Sequence, residues 1–470
     1  MRSAGNGIRH MDCLRFCTSG LQHLLLKPEV NNHLKLSLLK CWQLSRSKDD
    51  GCAEYEKLLN RLGTPPLYTT LRTNPLAGKN REDLLDTVKT EIAKNYKEKG
   101  WKEPNVYYHT VLKDLIVVDG RGPNLDLEKH DKKVVVDLAC GMAVLRGADV
   151  FAQGIMGCSI EMAEEDSVSV YCDVNSTCLK GSTKFQDSTM TFVGNGKACL
   201  SRETLFCSKV KVSGVGVSMT KPLYEAPCLT DLCTHLIFPQ NIPSVVVGVA
   251  VNPQKGETIL DMCASPGGKT VHIASLMAGE GRLIALDKTP AKIDKIKKNA
   301  ENWNIDFIET YPFDARQSCK DSADASGGPP YPPEMFDCVL LDGPCSALGQ
   351  RPTSKNQMSL NSLKSYPVLQ KQLFQQAVKL LRPGGTLVYS TCTITLEENE
   401  ELVSWALQKF PCLSLDTMEP HLGNKGRFCE GLSSEDRDKL QLFLPGSSEE
   451  ISPDTDTIGF FIAKFSKSAS

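Results

Sequence analysis

Two cysteines follow apolar runs that read as buried strands. Phe336-Asp337-Cys338-Val339-Leu340-Leu341-Asp342 leads through Gly343-Pro344 to Cys345, and Gly385-Thr386-Leu387-Val388-Tyr389-Ser390-Thr391 leads to Cys392. A thiol is a nucleophile only as its anion, and a helix amino end or a nearby lysine favours that form. Cys392 precedes a helix expected to begin near Leu396, so both influences are available to it. A third run, Ile259-Leu260-Asp261-Met262, turns through Cys263-Ala264-Ser265-Pro266-Gly267-Gly268-Lys269. Three strands ending in polar, reactive residues point to one site along the carboxyl edge of a parallel sheet, where open α/β sheets bind ligands. The chemistry implied is thiol nucleophilicity beside a nucleotide-like cofactor.

The Cys263–Lys269 loop joins a strand to a helix, whose free amino-terminal N–H groups suit a ligand that small residues allow to approach. Asp287 closes the next strand and is placed to accept hydrogen bonds from ribose hydroxyls. Asp314 follows the third strand, where a carboxylate could meet an exocyclic amine. Each feature alone would suit a tight turn and loop caps. Together, at successive strand ends, they favour a nucleoside cofactor. The loop is neither a dinucleotide fingerprint nor a P-loop, so S-adenosylmethionine suits it better than NAD, and an NAD-dependent oxidoreductase is the disfavoured reading.

The elements that must position these residues alternate. Strands are expected at 258–262, 282–287, 307–313, 336–341, 386–390 and 458–465, and helices at 268–277, 290–303, 362–381 and 397–409. This order predicts an α/β fold with a mostly parallel doubly wound sheet over residues 208–470. Residues 111–207 differ. Short Val-rich runs punctuated by glycine predict a small β-barrel domain inserted ahead of the sheet. Residues 27–110 read as a helical or mixed region, with a strand near 67–74 and a helix near 82–96. Residues 1–26 are expected to be disordered. Arg2, Arg9 and Arg15 leave an amphipathic transit peptide as the alternative there.

Over 470 residues, hydrophobic residues make up 41% and charged residues 23%, with a net charge of −2. These values suit a soluble globular protein and argue against non-specific coating of nucleic acid. No run is long and apolar enough to span a membrane. The 19 cysteines include no C-x-x-C pair, so no zinc site is implied and no metal is expected. Cysteines other than Cys345 and Cys392 are read as small buried hydrophobes in a reducing compartment, the cytoplasm.

Leu341-Asp342-Gly343-Pro344-Cys345-Ser346, Ser390-Thr391-Cys392-Thr393, Cys263–Lys269 and Phe238-Pro239-Gln240-Asn241 resemble motifs of the NSUN family of RNA cytosine-5 methyltransferases. The likeness covers roughly residues 210–467. It implies a class I, Rossmann-like S-adenosylmethionine methyltransferase fold. It also implies that Cys392 attacks carbon 6 of cytosine, that Cys345 assists product release, and that Asp342 meets nitrogen 3 and the amine of the base. Lys269 would face the same centre, and residues 263–269, Asp287, Asp314 and Asp342 would hold the cofactor. More weakly, Val144–Val150 and Val193–Gly196 resemble a PUA domain, an RNA-binding module. That likeness implies a branch acting on tRNA near its 3′ CCA end, with Arg146, Lys180 and Arg202 as candidate RNA contacts and other RNAs as further substrates. No stable protein partner is implied. The alternative is a catalytically inactive RNA-binding protein. Gly343 and Ser265 stand where the family usually has alanine, and a tryptophan expected soon after Arg351-Pro352 is absent.

Overall fold

The structure, a computed structural model, describes residues 23–42, 48–185, 190–207, 212–230, 232–446 and 450–469. The transit-peptide question and most of the stretch expected to be disordered lie outside these residues. Residues 23–26 do not fit that expectation. Leu24 is buried in a cluster of leucines, and Leu25–Leu26 pairs in parallel with Lys355–Asn356.

An eight-stranded sheet forms the centre. Numbering only its strands, β1 is Thr258–Asp261, β2 Arg282–Asp287, β3 Ile308–Pro312, β4 Phe336–Asp342, β5 Leu381–Thr391, β6 Leu413–Leu415, β7 Gln441–Phe443 and β8 Phe460–Lys467. Their order is β3-β2-β1-β4-β5-β8-β6, and β7 also pairs with β8. Strands β1 to β5 are parallel, whereas β8 enters antiparallel between β5 and β6. Alternate residues feed two cores. Leu260, Val339, Leu341, Leu387 and Tyr389 pack towards the helices α4 (Leu360–Leu380) and α5 (Glu400–Lys409). Ile259, Leu340 and Val388 pack towards α1 (Ile242–Val251), α2 (Gly268–Met277) and α3 (Pro290–Glu301). Burial on both faces is why these strands read as unbroken apolar runs.

Helix α1 is the element its composition most disguises. It is rich in valine, which prefers strands. The Asn241 side chain accepts from Ser244 N, proline occupies the first turn, and nearly every residue is buried. Capping and burial override local preference.

The two regions ahead of the sheet divide differently from the sequence reading. Helices Pro28–Trp42 and Lys48–Gly63 pack with Leu348, Ile394 and Leu396, behind the loops that follow β4 and β5. Tyr68–Thr73 joins Ile237–Pro239, Leu115–Asp119 and Val106–Tyr108 in a four-stranded antiparallel sheet. Leu84, Val88, Ile92 and Tyr96 of helix Arg81–Glu98 form a buried stripe with that sheet's Leu71 and Ile116. Thus Leu115–Asp119 lies outside the β unit that was expected to begin at 111. The six-stranded sheet of that unit runs from Lys133–Val136 to Val215–Pro222, past the expected end at 207. One extra strand from beyond Cys207 completes its core, through Val217 and Met219.

A buried ion pair fastens these parts together. Arg351 Nη1 lies 2.6 Å from Asp456, and Arg351 also donates to the carbonyls of Arg61, Thr64 and Thr457. Both side chains are almost wholly excluded from water. Breaking such a pair strands the surviving charge, at a cost of about 3–5 kcal/mol. Arg351→Ala should therefore lower the denaturation midpoint sharply in urea titrations. Lys255→Ala, which breaks the exposed Lys255–Glu280 pair, should barely move it.

Candidate active site

Strands β4 and β5 run in register, with Asp342 beside Ser390. The chain leaves both strands at the same edge, so the loops that carry Cys345 and Cys392 start side by side. The two Sγ atoms come within 3.3 Å. Next to them, Asp342 accepts from Lys269 Nζ at 2.7 Å and from Ser390 Oγ at 2.7 Å. The Lys269 ammonium sits 5.3 Å from the centre of the Phe460 ring. The structure therefore brings Cys345, Cys392, Asp342 and Lys269 into one cluster.

The two thiols are electrostatically unequal. The hydrogen bond from Cys345 is the largest influence on Cys392 and favours its anion. Burial opposes, the Gln350 side chain and Lys269 assist, and the net result lies below the usual thiol range. For Cys345 the bond to Cys392, burial and the negative charges of Cys392 and Glu398 all act upward, so its thiol keeps its proton. Lys269 is drawn down by burial, but the charge of and bond to Asp342 outweigh this and hold it protonated. The arrangement is one thiolate, one thiol donor, one carboxylate and one ammonium. A helix end plays no part, because α5 starts only at Glu400.

Gln350 and Gly349 escaped the sequence reading. Gly349 N donates to the Cys392 carbonyl at 3.0 Å, and a Cβ on Gly349 would lie 2.0 Å from the Gly459 carbonyl oxygen. No side chain fits between these segments. The only sequence signal was their position, just after Cys345 and just before the last strand. Arg351 anchors this loop where a tryptophan had been expected nearby.

The Cys263–Lys269 loop joins β1 to α2 as expected. Its glycines, however, face protein. Gly267 has φ +106°, and a Cβ there would meet Ile296 Cα at 3.1 Å, while one on Gly268 would meet the Phe238 ring at 3.0 Å. They allow a tight turn and close helix packing, and the ligand gains from them only indirectly. Asp287 accepts from Ser265 N and Lys288 N and pairs with Lys292. Asp314 is held by Arg316, which draws its carboxyl below the usual range. Asp261 is the informative member that the candidate set lacked. It is buried, its Oδ2 accepts from Thr270, its Oδ1 has no partner, and burial pushes it up to about 7. A buried, unpaired carboxyl oxygen in this loop suits a cationic amine, which S-adenosylmethionine carries.

Asp261, Lys269 and Asp342 line a cavity of about 380 Å³ that extends to Tyr68, Gln240 and Arg146. Arg146 thus faces the site. The other two candidate RNA contacts do not line this cavity. Arg202 donates to the carbonyls of Cys158 and Gly181, and Lys180 to those of Gln153 and Ile155. Each ties its own segment to another part of the six-stranded unit. Among the described residues no group of His, Cys, Asp or Glu is arranged to hold a metal ion, and no helix is long and apolar enough to cross a membrane.

Residues 248–466 match the family of the 16S rRNA methyltransferase RsmB/F. The chain is 42% identical to the mouse tRNA (cytosine(72)-C(5))-methyltransferase NSUN6, over 94% of this chain and 96% of the relative. It is 41% identical to the human NSUN6, over 94% and 97%. Among solved structures, NSun6 from Pyrococcus horikoshii with SFG superposes with a TM-score of 0.74 at 26% identity, covering 95% of this chain and 99% of that one.

The unequal thiols set a pH dependence. A thiol reacts as its anion, so Cys392 alkylation by iodoacetamide should rise through a midpoint below that of an ordinary cysteine. Lys269→Met removes a stabilising positive charge and should move that midpoint upward. Mass spectrometry of Cys392 labelling against pH measures both.

Proposed function

This chain belongs to the RNA (cytosine-5)-methyltransferase family that includes the NSUN6 enzymes, and on that premise we propose that it methylates carbon 5 of a cytosine near the 3′ end of tRNA. The position named for its relatives, cytosine 72, is the one expected. The cofactor, S-adenosylmethionine, supplies an electrophilic methyl group on a sulfonium. Asp261 and the Cys263–Lys269 loop would hold it. Asp287 and Asp342 would complete the set, and Asp314 only if Arg316 yields.

The Cys392 thiolate adds to carbon 6 of the base, forming a C–S bond and moving electron density to carbon 5. Asp342 engages nitrogen 3 and the exocyclic amine. Lys269 donates to Asp342 and, as a nearby positive charge, helps keep Cys392 anionic. Once carbon 5 carries the methyl group, Cys345 gives its proton to the departing Cys392 sulfur and, as the thiolate so formed, takes the carbon-5 proton, whose electron pair restores the ring double bond. Cys345, protonated beside that sulfur, is placed to act in this release. The observation that carries the reading is the 3.3 Å approach of two thiols beside the Lys269–Asp342 pair. An inactive RNA-binding protein would have no use for that arrangement.

A stacked base cannot reach the thiols, so the nucleotide must leave its stack. The six-stranded unit acts as a PUA-like RNA-binding module in this reading, and Arg146 is its phosphate contact at the cavity. The setting is a reducing one, the cytoplasm, since the nucleophile must remain a free thiol.

Cys345→Ala should slow release and accumulate a protein–RNA adduct that survives denaturing gels. Cys392→Ala should give neither adduct nor 5-methylcytosine in bisulfite sequencing of tRNA. An adduct that persists in Cys392→Ala would reject the assignment. If Asp261 ionises to receive the cofactor amine, binding releases its proton below about pH 7. Cofactor affinity measured by calorimetry should then rise between pH 6 and 7 and level off above, and Asp261→Asn should flatten that rise.

A further inference from the structure

Glu398 is buried beneath the two thiol loops, and no step above uses it. Its carboxylate accepts four hydrogen bonds. Oε1 takes Ser346 Oγ at 2.5 Å and Thr395 Oγ1 at 2.9 Å, while Oε2 takes Ser346 N at 2.9 Å and Gln370 Nε2 at 2.9 Å. Ser346 directly follows Cys345. Thr395 lies three residues beyond Cys392. Gln370, on α4, also donates to the Pro344 carbonyl. Thr393 Oγ1 approaches Ser346 Oγ at 2.6 Å. Because the Ser346 hydroxyl proton goes to Glu398, Thr393 must be the donor in that contact. The Tyr389 hydroxyl closes the network on the Glu398 carbonyl at 2.7 Å.

A carboxylate offers about four lone-pair sites, and four donors fill them. Burial pushes the Glu398 carboxyl above its usual range, and the four donors act against burial in favour of the anion. Such a charge is costly to bury and is tolerated only when fully hydrogen-bonded. We propose that Glu398 is a positioning residue of the methyl-transfer reaction. It ties the loop of Cys345 to the loop of Cys392 and so fixes how the two thiols face each other. The proposal rests on Cys392 being the nucleophile.

The electrostatics agree. The Glu398 charge acts upward on Cys345 and is not among the leading influences on Cys392. Tyr366 and Tyr389 also face this charge, and both phenols are pushed up, mainly by burial. On the far side Glu398 borders a cavity of about 200 Å³ shared with His33, Lys364, Lys371, Glu397 and Glu401. His33 is taken by Glu397 at 2.8 Å.

Glu398→Gln keeps the shape, removes the charge and sets an amide against donors. The experiment is competitive iodoacetamide labelling of the full-length protein at pH 7.5, with Cys392 and Cys345 quantified by mass spectrometry and cofactor binding as the check on folding. The parent should label Cys392 in strong preference. In Glu398→Gln the ratio should fall about tenfold or more, the equivalent of one pKa unit between the thiols. kcat should drop while KM for tRNA holds. If Glu398→Gln fails to bind cofactor, Glu398→Asp is read instead. It keeps the charge but shortens the reach, so labelling preference should persist while kcat falls. An unchanged labelling ratio in folded Glu398→Gln, or parental kcat in Glu398→Asp, overturns the proposal. Labelling requires no RNA, so this failure is distinct from failure of the nucleophile assignment, which would appear as activity in Cys392→Ala.

Discussion

The in-register parallel pairing of β4 with β5 is the constraint on which the site depends. Asp342 lies beside Ser390, and the two chains leave the sheet at neighbouring points of one edge. Side chains alternate along a strand, so a slip of one residue would exchange the two faces and take Asp342 away from Ser390. Both faces are apolar, so what opposes the slip is the fit of particular side chains: Leu340 and Val388 fill one core, while Leu341 and Tyr389, whose hydroxyl bonds the Glu398 carbonyl, fill the other. Packing far from the chemistry thus sets a sulfur–sulfur approach of 3.3 Å.

Much of this was legible because it is local. The bounds expected for α2 and β2 coincide with those observed, since both are strongly patterned and end in clear signals: Gly267-Gly268 before the helix, Asp287 after the strand. Less legible were elements whose identity comes from distant partners. The valines of α1 would suit a strand, and only Asn241 and burial make them helical. Leu115–Asp119 looks like its Val-rich neighbours, yet it pairs with Tyr68–Thr73, a segment more than 40 residues earlier. Val215–Pro222 completes a sheet whose other strands precede Cys207. Spacing carries no record of such choices.

The site shows the same division. Types and strand-end positions flagged Cys345, Cys392 and Asp342, the family resemblance added Lys269, and geometry unites them. Of the two influences expected on the Cys392 thiol, the nearby lysine is present as Lys269 and the helix start is not, while the largest, the neighbouring Cys345 thiol, was not legible. Asp287 and Arg202 have the types expected for their roles, and each also bonds neighbouring backbone: Asp287 accepts from the Ser265 and Lys288 amides, and Arg202 donates to the Gly181 carbonyl. Asp261 shows how a residue outside the flagged set gains meaning, since only three dimensions reveal an oxygen left without a donor.

Strand β8 is the latest of the sheet's strands along the chain, yet it occupies an interior place between β5 and β6. It also supplies the ring beneath Lys269, and Gly459 just before it abuts Gly349. During translation the hydrogen-bonding edge of β5 that faces away from β4 must therefore wait, bare, until residues near 467 clear the ribosome. Pairing across such separations forms slowly and leaves apolar edges open to wrong partners. The thiols can reach their working arrangement only after synthesis of this segment, so a nascent chain stalled before Gly459 would hold a nearly complete fold without a functioning centre.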